Sequence, residues 1–263
     1  MPNRNNPTAL VTGASSGIGR ELAIVHAQKG GDLVLVARRK NLLDELKEEI
    51  KKRFKVKVTV IRQDLAVPDS ARELYQKVEE AKIRVDILIN NAGFGKAGFF
   101  SKSDLKLDEE MIHLNVVTLT ALTRLFMEPM IERKTGRILN VASVAGFVPG
   151  PLQAVYFASK AYVVSFGESV ANELQGTGVT LTTLCPGQTT SEFATRAGAT
   201  KIRAHKFPAA SARNVAEYGY RSMLEGRCIA VHGVQNKILV HFLLRLLPRR
   251  VVTDLCRRGL EEI

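Results

Sequence analysis

Tyr156 and Lys160, four positions apart in the segment YFASK, are the side chains best suited to proton transfer in this sequence. Residues with this spacing share one face of a helix. An ammonium beside a phenol stabilises the phenolate, so we expect Lys160 to lower the pKa of Tyr156 below its usual value of about 10. Tyr156 would then exchange a proton with a carbonyl or alcohol, while Ser143 hydrogen-bonds the same oxygen. The alternative is a surface tyrosine beside a solvated lysine.

A glycine-rich segment near the start of the chain is suited to binding phosphate. Residues Thr12–Gly19 read TGASSGIG, directly after an apolar run and directly before a helical pattern. Glycines permit a tight turn and a close approach of phosphate to the backbone, and the following helix offers free N–H groups. The alternative is a simple turn, and Ser15 and Ser16 suit either interpretation. The residues predicted to bind the phosphates are Gly13, Ser15, Ser16, Gly17, Ile18 and Gly19.

The end of the second apolar run carries no acid. Dinucleotide-binding folds commonly place one there to bind the ribose 2′-hydroxyl, but this chain has Ala37 followed by Arg38, Arg39 and Lys40. A guanidinium can bind a 2′-phosphate, whereas a carboxylate would repel it. The sequence therefore predicts NADP(H) over NAD(H), with Arg38 as the main 2′-phosphate ligand and Arg39 or Lys40 sharing the contact. The alternative is a solvated basic turn.

The elements that must hold these groups are short apolar runs that alternate with amphipathic helical segments. Each run is almost continuously apolar, which indicates a strand buried on both faces. Strand–helix alternation with short links predicts parallel strands joined by right-handed crossovers. We therefore expect an α/β fold with a Rossmann-type doubly wound parallel sheet of about seven strands, in a single domain over residues 1–263. The predicted strands are Thr8–Thr12, Asp32–Ala37, Val56–Ile61, Val85–Asn90, Arg137–Ala142, Val179–Leu184 and Arg227–Val231.

Composition narrows the class of protein. The 263 residues are 45% hydrophobic and 24% charged, which excludes a wholly disordered or collagen-like chain. The net charge of +12 permits an anionic partner such as nucleic acid, an acidic membrane surface or a phosphorylated ligand. The three cysteines and five histidines show no metal-ligand spacing, so we expect no metal site. A polar start without a signal peptide, and no apolar stretch of about 18 residues, predict a soluble cytoplasmic protein.

Two segments depart from the alternation. Residues 191–213 have weak periodicity and much Ala, Gly and basic charge, so we expect a substrate lid, with a plain surface excursion as the alternative. Residues 234–263 are expected to form a basic and apolar helical tail. Its helix Lys237–Leu247 carries a narrow polar stripe of Lys237, His241 and Arg245 and is too short to span a bilayer. Packing on the pocket or on a second subunit is slightly favoured over contact with a membrane surface.

Together these motifs resemble those of the short-chain dehydrogenase/reductase family over about residues 8–192. The matches in chain order are the glycine segment, Asp64 after the third run, NNAG at 90–93, Asn115, Ser143, the YxxxK pair and the turn Cys185-Pro186-Gly187. Within the family, the sequence TSEF at 190–193 is similar to the TEF-type motif of the DltE-like branch.

The resemblance implies a catalytic set of Asn115, Ser143, Tyr156 and Lys160. It also implies that Lys160 binds the nicotinamide ribose, that Asn115 holds a water linking Lys160 to solvent, and that Asp64 holds the adenine ring. The cofactor contacts predicted in addition to the glycine segment are Arg38, Arg39, Asp64, Leu65, Asn91, Ala92, Gly93, Tyr156, Lys160, Pro186, Gly187 and Thr189.

The function expected from these observations is hydride transfer between NADP(H) and a carbonyl or secondary alcohol. The segments expected around the substrate are apolar, which favours a lipophilic small molecule. A catalytically idle nucleotide sensor or scaffold of the same fold is the alternative. A nucleic-acid binder is suggested by charge alone, so no nucleic acid is expected. We expect a homodimer or homotetramer, with peripheral membrane contact through the tail as an open alternative. The expected substrate-lining residues are Phe94, Val144, Ala145, Phe147, Val148, Pro149, Leu152, Phe193 and Phe207.

Overall fold

Seven parallel strands form the centre of the computed structural model, which describes residues 6–199 and 209–261. The strands of this sheet are β1 (Thr8–Thr12), β2 (Asp32–Ala37), β3 (Val58–Arg62), β4 (Ile87–Asn90), β5 (Gly136–Val141), β6 (Val179–Cys185) and β9 (Ile229–Val231). Their order is β3-β2-β1-β4-β5-β6-β9. Two further strands, β7 (Thr189–Thr190) and β8 (Ala210–Ser211), pair in parallel away from it. The predicted doubly wound parallel sheet of about seven strands is confirmed.

Three strands begin two residues later than predicted, at Val58, Ile87 and Ile229. Before two of them, a carboxylate accepts a backbone N–H beside the remaining backbone bonds. The backbone N–H of Lys57 donates to the Asp32 carboxylate at 2.8 Å. The N–H of Thr8 donates to the carboxylate of Asp86 at 3.0 Å. A carboxylate that takes an edge N–H satisfies the backbone without extending the strand, and an apolar run cannot reveal this.

Helices cover both faces of the sheet. They are α1 (Gly17–Gln28), α2 (Lys40–Arg53), α3 (Ser70–Glu80), α4 (Leu105–Ile112), α5 (Leu119–Glu132), α6 (Ala154–Glu173), α7 (Phe193–Ala197), α8 (Ala212–Leu224), α9 (Val234–Ile238), α10 (Leu244–Leu246) and α11 (Arg249–Leu260). Short 3-10 turns lie at Phe100–Lys102 and Val144–Phe147, and π-helical turns at His113–Thr118 and Leu239–Leu243. Among the described helices, none is both long and apolar enough to cross a membrane.

Two hydrophobic layers follow from the alternation of side chains along each strand. In β1, Ala9 and Val11 pack with α1, α2 and α8, whereas Leu10 packs with α3, α5 and α6 on the opposite face. All three are fully buried. Burial on both faces explains why the strands read as continuous apolar runs rather than as alternating ones.

The order of the strands places a crevice at one edge of the sheet. Chain order runs outward from β1 to β3 on one side and from β4 to β9 on the other, so the crossovers diverge between β1 and β4. In open α/β sheets, ligands bind outside the carboxyl ends of the strands at such a switch point. Thr12 and Asn90, the last residues of β1 and β4, mark this place.

Candidate active site

The turn after β1 depends on glycine at two positions where the backbone is left-handed. Gly13 has φ +66° and Gly17 has φ +57°, conformations in which a side chain is strained. A Cβ on Gly13 would lie 2.7 Å from the Asn91 side-chain nitrogen, and one on Gly19 would lie 2.3 Å from it. Gly19 is buried behind the turn, whereas the other predicted phosphate contacts of this segment line the crevice.

Asn91 braces this turn against the end of β4. Its side-chain nitrogen donates to the carbonyls of Thr12 at 3.0 Å and Gly13 at 3.3 Å. The Thr12 hydroxyl accepts the backbone N–H groups of Asn91 and Ala92, each at 3.0 Å. The NNAG segment therefore ties β1 to β4 and shapes the glycine turn, in addition to lining the crevice.

The two arginines after β2 have different surroundings. The Arg39 guanidinium donates to the hydroxyls of Ser15 at 3.1 Å and Ser16 at 2.9 Å, and pairs with Glu192 at 3.0 Å. Arg38 is more exposed, and its nearest acidic partner is Asp64 at 3.7 Å. Arg39, rather than Arg38, is therefore the guanidinium held directly over the glycine turn.

The end of β3 supplies Asp64 and Leu65 to the rim of the crevice. The Asp64 carboxylate accepts the backbone N–H of Ala66 at 3.0 Å and is partly exposed. Leu65 is buried, and its carbonyl accepts the Thr118 hydroxyl at 2.8 Å. Both line the crevice, as the sequence predicts for adenine contacts. Their roles toward a nucleotide stay predictions.

Asn115 lies in the π-helical turn between α4 and α5 and is fully buried. Its side-chain oxygen accepts the Phe94 N–H at 3.1 Å, and its nitrogen donates to the Phe94 carbonyl at 2.9 Å and the Ser159 hydroxyl at 3.0 Å. A Cβ on Gly93 would lie 2.9 Å from this amide oxygen and 3.4 Å from the Lys160 nitrogen. Asn115 thus stands behind the crevice and positions its wall; its predicted link to a water stays a prediction.

Tyr156 and Lys160 share one face of α6, but their protonation differs from the expectation. Burial raises the pKa of Tyr156 to about 12, and a hydrogen bond with Ser143 only partly offsets it. Burial lowers the pKa of Lys160 to about 8. The predicted lowering of the Tyr156 pKa is therefore wrong for this structure. The physical reason is that burial of the phenol outweighs the effect of the Lys160 ammonium, which donates to the Val141 carbonyl at 2.9 Å and lies 5.9 Å from the centre of the Tyr156 ring.

The remaining predicted residues come from the ends of β5 and β6. The Ser143 hydroxyl accepts the Ala145 N–H at 3.1 Å and is 3.4 Å from the Pro186 carbonyl, to which it donates. The Thr189 hydroxyl donates to the Gly187 carbonyl at 3.0 Å. Ser143, Pro186, Gly187 and Thr189 all line the crevice. The arrangement brings a neutral phenol, a hydroxyl and an ammonium to one wall, which suits proton transfer to a carbonyl oxygen.

The crevice has a volume of about 1000 Å³ and runs from the glycine turn to Tyr156. Of the expected substrate-lining residues, those that line it are Phe94, Val144, Ala145, Val148 and Phe193. Phe147, Pro149 and Leu152 do not line it, and Phe147 packs in a separate cluster with Val163 and Val164. Phe207 lies outside the described residues. Apolar character alone could not separate pocket from core.

The predicted lid is described only in part, because residues 200–208 lie outside the described ranges. Its first part packs over the site, with the Phe193 and Tyr156 ring centres 5.2 Å apart. Glu192 also lines the crevice. The sequence places Glu192 in the TSEF segment without indicating a role for it, because its partner Arg39 lies far away in the chain.

The helical tail supplies one wall of the crevice. The chain is helical from Val234 to Leu246, while Leu247 has extended backbone and ends the predicted helix one residue early. Leu239 lines the crevice, Val240 is buried, and residues of α11 complete the wall. Lys237, placed on the predicted polar stripe, lies 5.4 Å over the Tyr218 ring. Packing on the pocket, one of the alternatives for this helix, therefore describes its inner face.

The comparison with known families shows to which family the chain belongs. The model of a family described as short chain dehydrogenase matches residues 7–202. This chain belongs to the short chain dehydrogenase family. The DltE-like branch of the family stays a prediction.

Three similar proteins illustrate the membership. The human very-long-chain 3-oxoacyl-CoA reductase is 34% identical over 184 residues, which cover 68% of this chain and 58% of that reductase. A short-chain dehydrogenase from Sphingobium yanoikuyae in complex with NADPH is 30% identical, with TM-score 0.81 over 97% of this chain and 94% of that one. A short chain dehydrogenase/reductase from Burkholderia phymatum in complex with NAD is 25% identical, with TM-score 0.80 over 100% and 99%.

The matched segment spans less than two thirds of the length of the first curated relatives, covering 60% and 58% of them. Within residues 6–199 and 209–261 of this short chain dehydrogenase, no three His, Cys, Asp or Glu side chains are grouped so that they could hold a metal ion. His205 lies outside those ranges.

Replacement of Lys160 tests the electrostatics of the short chain dehydrogenase site. The folded pKa of about 8 lies below the usual lysine value of 10.5, so between these pH values the unfolded chain binds more protons and stability rises with pH. At pH 7 the buried charge is destabilising. We expect Lys160→Met to be more stable than the unmutated protein by about 1–2 kcal/mol at pH 7, net of the lost hydrogen bond. The gain should shrink as pH rises from 8 to 10.5.

Urea unfolding at a series of pH values measures this difference. The matched control is Lys106→Met, which replaces an exposed lysine of α4 and should show no such trend. A stability difference for Lys160→Met that stays constant across the pH series would contradict the assignment.

Proposed function

We propose that this chain is an NADP(H)-dependent oxidoreductase that interconverts a lipophilic carbonyl compound and the corresponding secondary alcohol, with Tyr156 as the proton donor and acceptor. The observation that carries the proposal is one continuous crevice of about 1000 Å³. It holds the glycine turn at one end, and Ser143, Tyr156 and Lys160 at the other. A dinucleotide-dependent oxidoreductase needs a phosphate-binding turn at one end of its cofactor site and a proton-transfer group at the nicotinamide end.

The residues present fit a nicotinamide dinucleotide. The left-handed glycines leave the turn open at the start of α1, where a pyrophosphate would meet free N–H groups. Arg39 and the Ser15 and Ser16 hydroxyls form a cluster of donors suited to a 2′-phosphate. The solved structures with NADPH and with NAD support a nicotinamide cofactor of either kind. The donor cluster is the reason to propose NADP(H).

A bound nicotinamide supplies or accepts the hydride. The chain's own residues handle the proton. Tyr156, neutral because burial raises its pKa to about 12, gives its proton to the carbonyl oxygen as negative charge develops there. Ser143 donates a hydrogen bond to the same oxygen. Lys160, whose pKa is near 8, is largely charged at neutral pH and stabilises the phenolate that remains.

An apolar substrate is supported by the walls of the crevice and by one relative. Phe94, Val144 and Val148 line it from the core side, and Leu239 and Leu260 from the tail. Burial of these surfaces against a hydrocarbon contributes about 25 cal/mol per Å². The human relative is named a very-long-chain 3-oxoacyl-CoA reductase, and that name describes an enzyme that reduces an oxo group on a long acyl chain.

The outer face of the tail supports a location at a membrane surface. Val234, Ile238, Phe242 and Leu246 recur every four residues and are exposed, with Leu246 80% exposed. Residues 234–261 contain six Lys or Arg and two Asp or Glu. An exposed apolar stripe with basic flanks is typical of helices that lie on anionic bilayers. We therefore propose a cytoplasmic enzyme that contacts anionic lipid through this face.

Another exposed apolar patch favours self-association. Ile112, Val117 and Tyr162 are 45%, 49% and 39% exposed on the α4–α6 side of the molecule. Large apolar side chains grouped on a surface commonly meet a second copy of the chain. A homodimer or homotetramer formed through this face leaves the tail free for lipid.

Replacement of Tyr156 is the decisive test of the proposed chemistry. We expect Tyr156→Phe to lower kcat about 100-fold or more, with the NADPH Kd within about twofold of the unmutated value, because only the proton-transfer hydroxyl is lost. Cofactor absorbance with a panel of ketones and alcohols measures turnover, and fluorescence titration measures binding. Ser169→Ala is the control on the same helix, since its exposed hydroxyl donates to the Ser165 carbonyl away from the crevice.

A Tyr156→Phe variant that keeps more than about a tenth of the rate would rule out this role for Tyr156. An unmutated protein that binds NADPH and turns over nothing in the panel would instead indicate the idle sensor.

Replacement of the basic residues after β2 tests the cofactor preference. We expect Arg39→Ala to weaken NADPH binding relative to NADH by about 1.5–3 kcal/mol, the range for hydrogen bonds to a charged group. Arg38→Ala should have a smaller effect, because Arg38 is more exposed and lies 3.7 Å from Asp64. Arg53→Ala, which removes an exposed arginine at the end of α2 paired with Glu49, is the control. Titrations at one fixed ionic strength measure the affinity of each of the four proteins for NADPH and for NADH, and equal NADPH and NADH binding by the unmutated protein would contradict the preference.

Replacement of the outer tail residues tests the lipid contact. We expect the protein to co-sediment with vesicles of anionic lipid. The double variant Phe242→Ser, Leu246→Ser should bind these vesicles at least about tenfold more weakly, because two exposed apolar side chains no longer enter the interface. Leu105→Ser, at an equally exposed leucine of α4, is the control. Equal vesicle binding by the double variant and the control, or no binding by the unmutated protein, would contradict the lipid contact.

Sedimentation velocity on the same samples reports the expected two or four subunits.

A further inference from the structure

The segment Thr189–Ala197, here called the crossing loop, passes directly over the glycine turn. A Cβ on Gly17 would lie 3.2 Å from the Ser191 Cβ, so the two segments touch there. Strand β7, at the start of the loop, is held by its pairing with β8, and Phe193 packs on Tyr156. The loop therefore contacts both ends of the crevice, and Glu192 lies between these two contacts.

The Glu192 carboxylate is bound by cationic groups from both sides. It pairs with Arg39 at 3.0 Å and with Arg196, one turn along α7, at 2.5 Å. Hydrogen bonding to Arg39 lowers the pKa of Glu192, with a further contribution from Ser16. The same Arg39 nitrogen donates to the Ser15 and Ser16 hydroxyls. The Glu192 carboxylate thus lies beside the two hydroxyls that accept from Arg39 over the turn.

Arg39 and the Ser16 hydroxyl together form an anion site that only one negative group can fill. Two negative charges a few ångströms apart repel each other, and a guanidinium whose fork is engaged by a carboxylate has fewer N–H groups left for a phosphate. The 2′-phosphate of the proposed cofactor needs Arg39 and Ser16. A cofactor with a free 2′-hydroxyl places no charge there, so the Glu192 contact with Arg39 can persist when it binds.

We propose that Glu192 is a specificity-determining residue whose carboxylate occupies the anion site of Arg39 and Ser16, so that a 2′-phosphorylated nucleotide must displace it and a nucleotide with a free 2′-hydroxyl need not. The inference rests on the proposed function, because it takes the crevice to be a nucleotide site. Glu192 opposes the preference that Arg39 creates, and this competition sets the ratio of NADP(H) to NAD(H) affinity. It also makes the crossing loop respond to which of the two cofactors is bound.

The test uses adenine nucleotides that lack the nicotinamide, so that it does not depend on turnover. Calorimetric titration with adenosine 2′,5′-bisphosphate and with 5′-AMP gives the affinity for each at fixed ionic strength. We expect Glu192→Gln to bind the bisphosphate about threefold to fivefold more tightly, the equivalent of one exposed ion pair that no longer has to be broken. Binding of 5′-AMP should change by less than a factor of about two. NADPH and NADH should show the same contrast.

Glu217→Gln is the matched control. Glu217 is also exposed and pairs with an arginine four residues away, here Arg213, on the other side of α1. Glu217 does not line the crevice, so the same change in net charge there is screened by salt and should leave the affinity for both nucleotides unchanged.

Three results would overturn the inference, and they are distinguishable. Equal weakening of both nucleotides in Glu192→Gln would mean that Glu192 clasps any cofactor rather than competing with the 2′-phosphate. Unchanged affinities would mean that its contact with Arg39 does not compete. If neither nucleotide nor NADPH or NADH binds the unmutated protein, the proposed function fails and the inference fails with it.

Discussion

The side-chain amide of Asn91 is the contact on which the rest of the site depends. It lies so close to the turn after β1 that neither Gly13 nor Gly19 has room for a Cβ. Its hydrogen bonds to the Thr12 and Gly13 carbonyls lock the end of β1 to the end of β4, where the crossovers diverge. Because these bonds satisfy the turn's carbonyls from within the protein, the turn can present its N–H side to the crevice.

The same short segment positions the proton-transfer end. Two residues after Asn91, Gly93 lets the Asn115 amide oxygen approach to a distance that a Cβ would block. Asn115 then grips both backbone groups of Phe94 and the Ser159 hydroxyl on α6. A helix that carries Tyr156 and Lys160 is in this way held in register with the glycine turn. The proposed phosphate-binding turn and the proposed proton-transfer residues share one backbone scaffold, which explains why the NNAG sequence is as informative as the residues assigned to chemistry.

Most of this arrangement could be predicted from the sequence, because periodicity and spacing report local structure. The strands, the glycine turn and the shared helical face of Tyr156 and Lys160 follow from rules that act over a few residues. The roles of Arg38 and Arg39 do not, since long flexible side chains are oriented by what lies opposite them. Here Ser16 and Glu192 come from segments distant in the chain. The tail was ambiguous for a related reason. Leu239 lines the crevice and Phe242 faces outward, and the π-helical turn between residues 239 and 243 changes which face an apolar pattern presents.

Burial makes the Tyr156–Lys160 pair work through opposite effects on its two members. Desolvation disfavours the charged form of each, so the pKa of the phenol rises to about 12 and the pKa of the ammonium falls to about 8. At neutral pH the phenol therefore keeps its proton until an acceptor oxygen arrives. The Lys160 amine stays mostly protonated, because its pKa of about 8 lies only slightly above neutral pH. The Val141 carbonyl, at 2.9 Å, is what makes a buried ammonium tolerable there. Reduction of a carbonyl can therefore begin from the protonated phenol that the site holds at neutral pH. The reverse reaction must begin from a phenolate that burial disfavours, so oxidation should gain more than reduction does from a rise in pH.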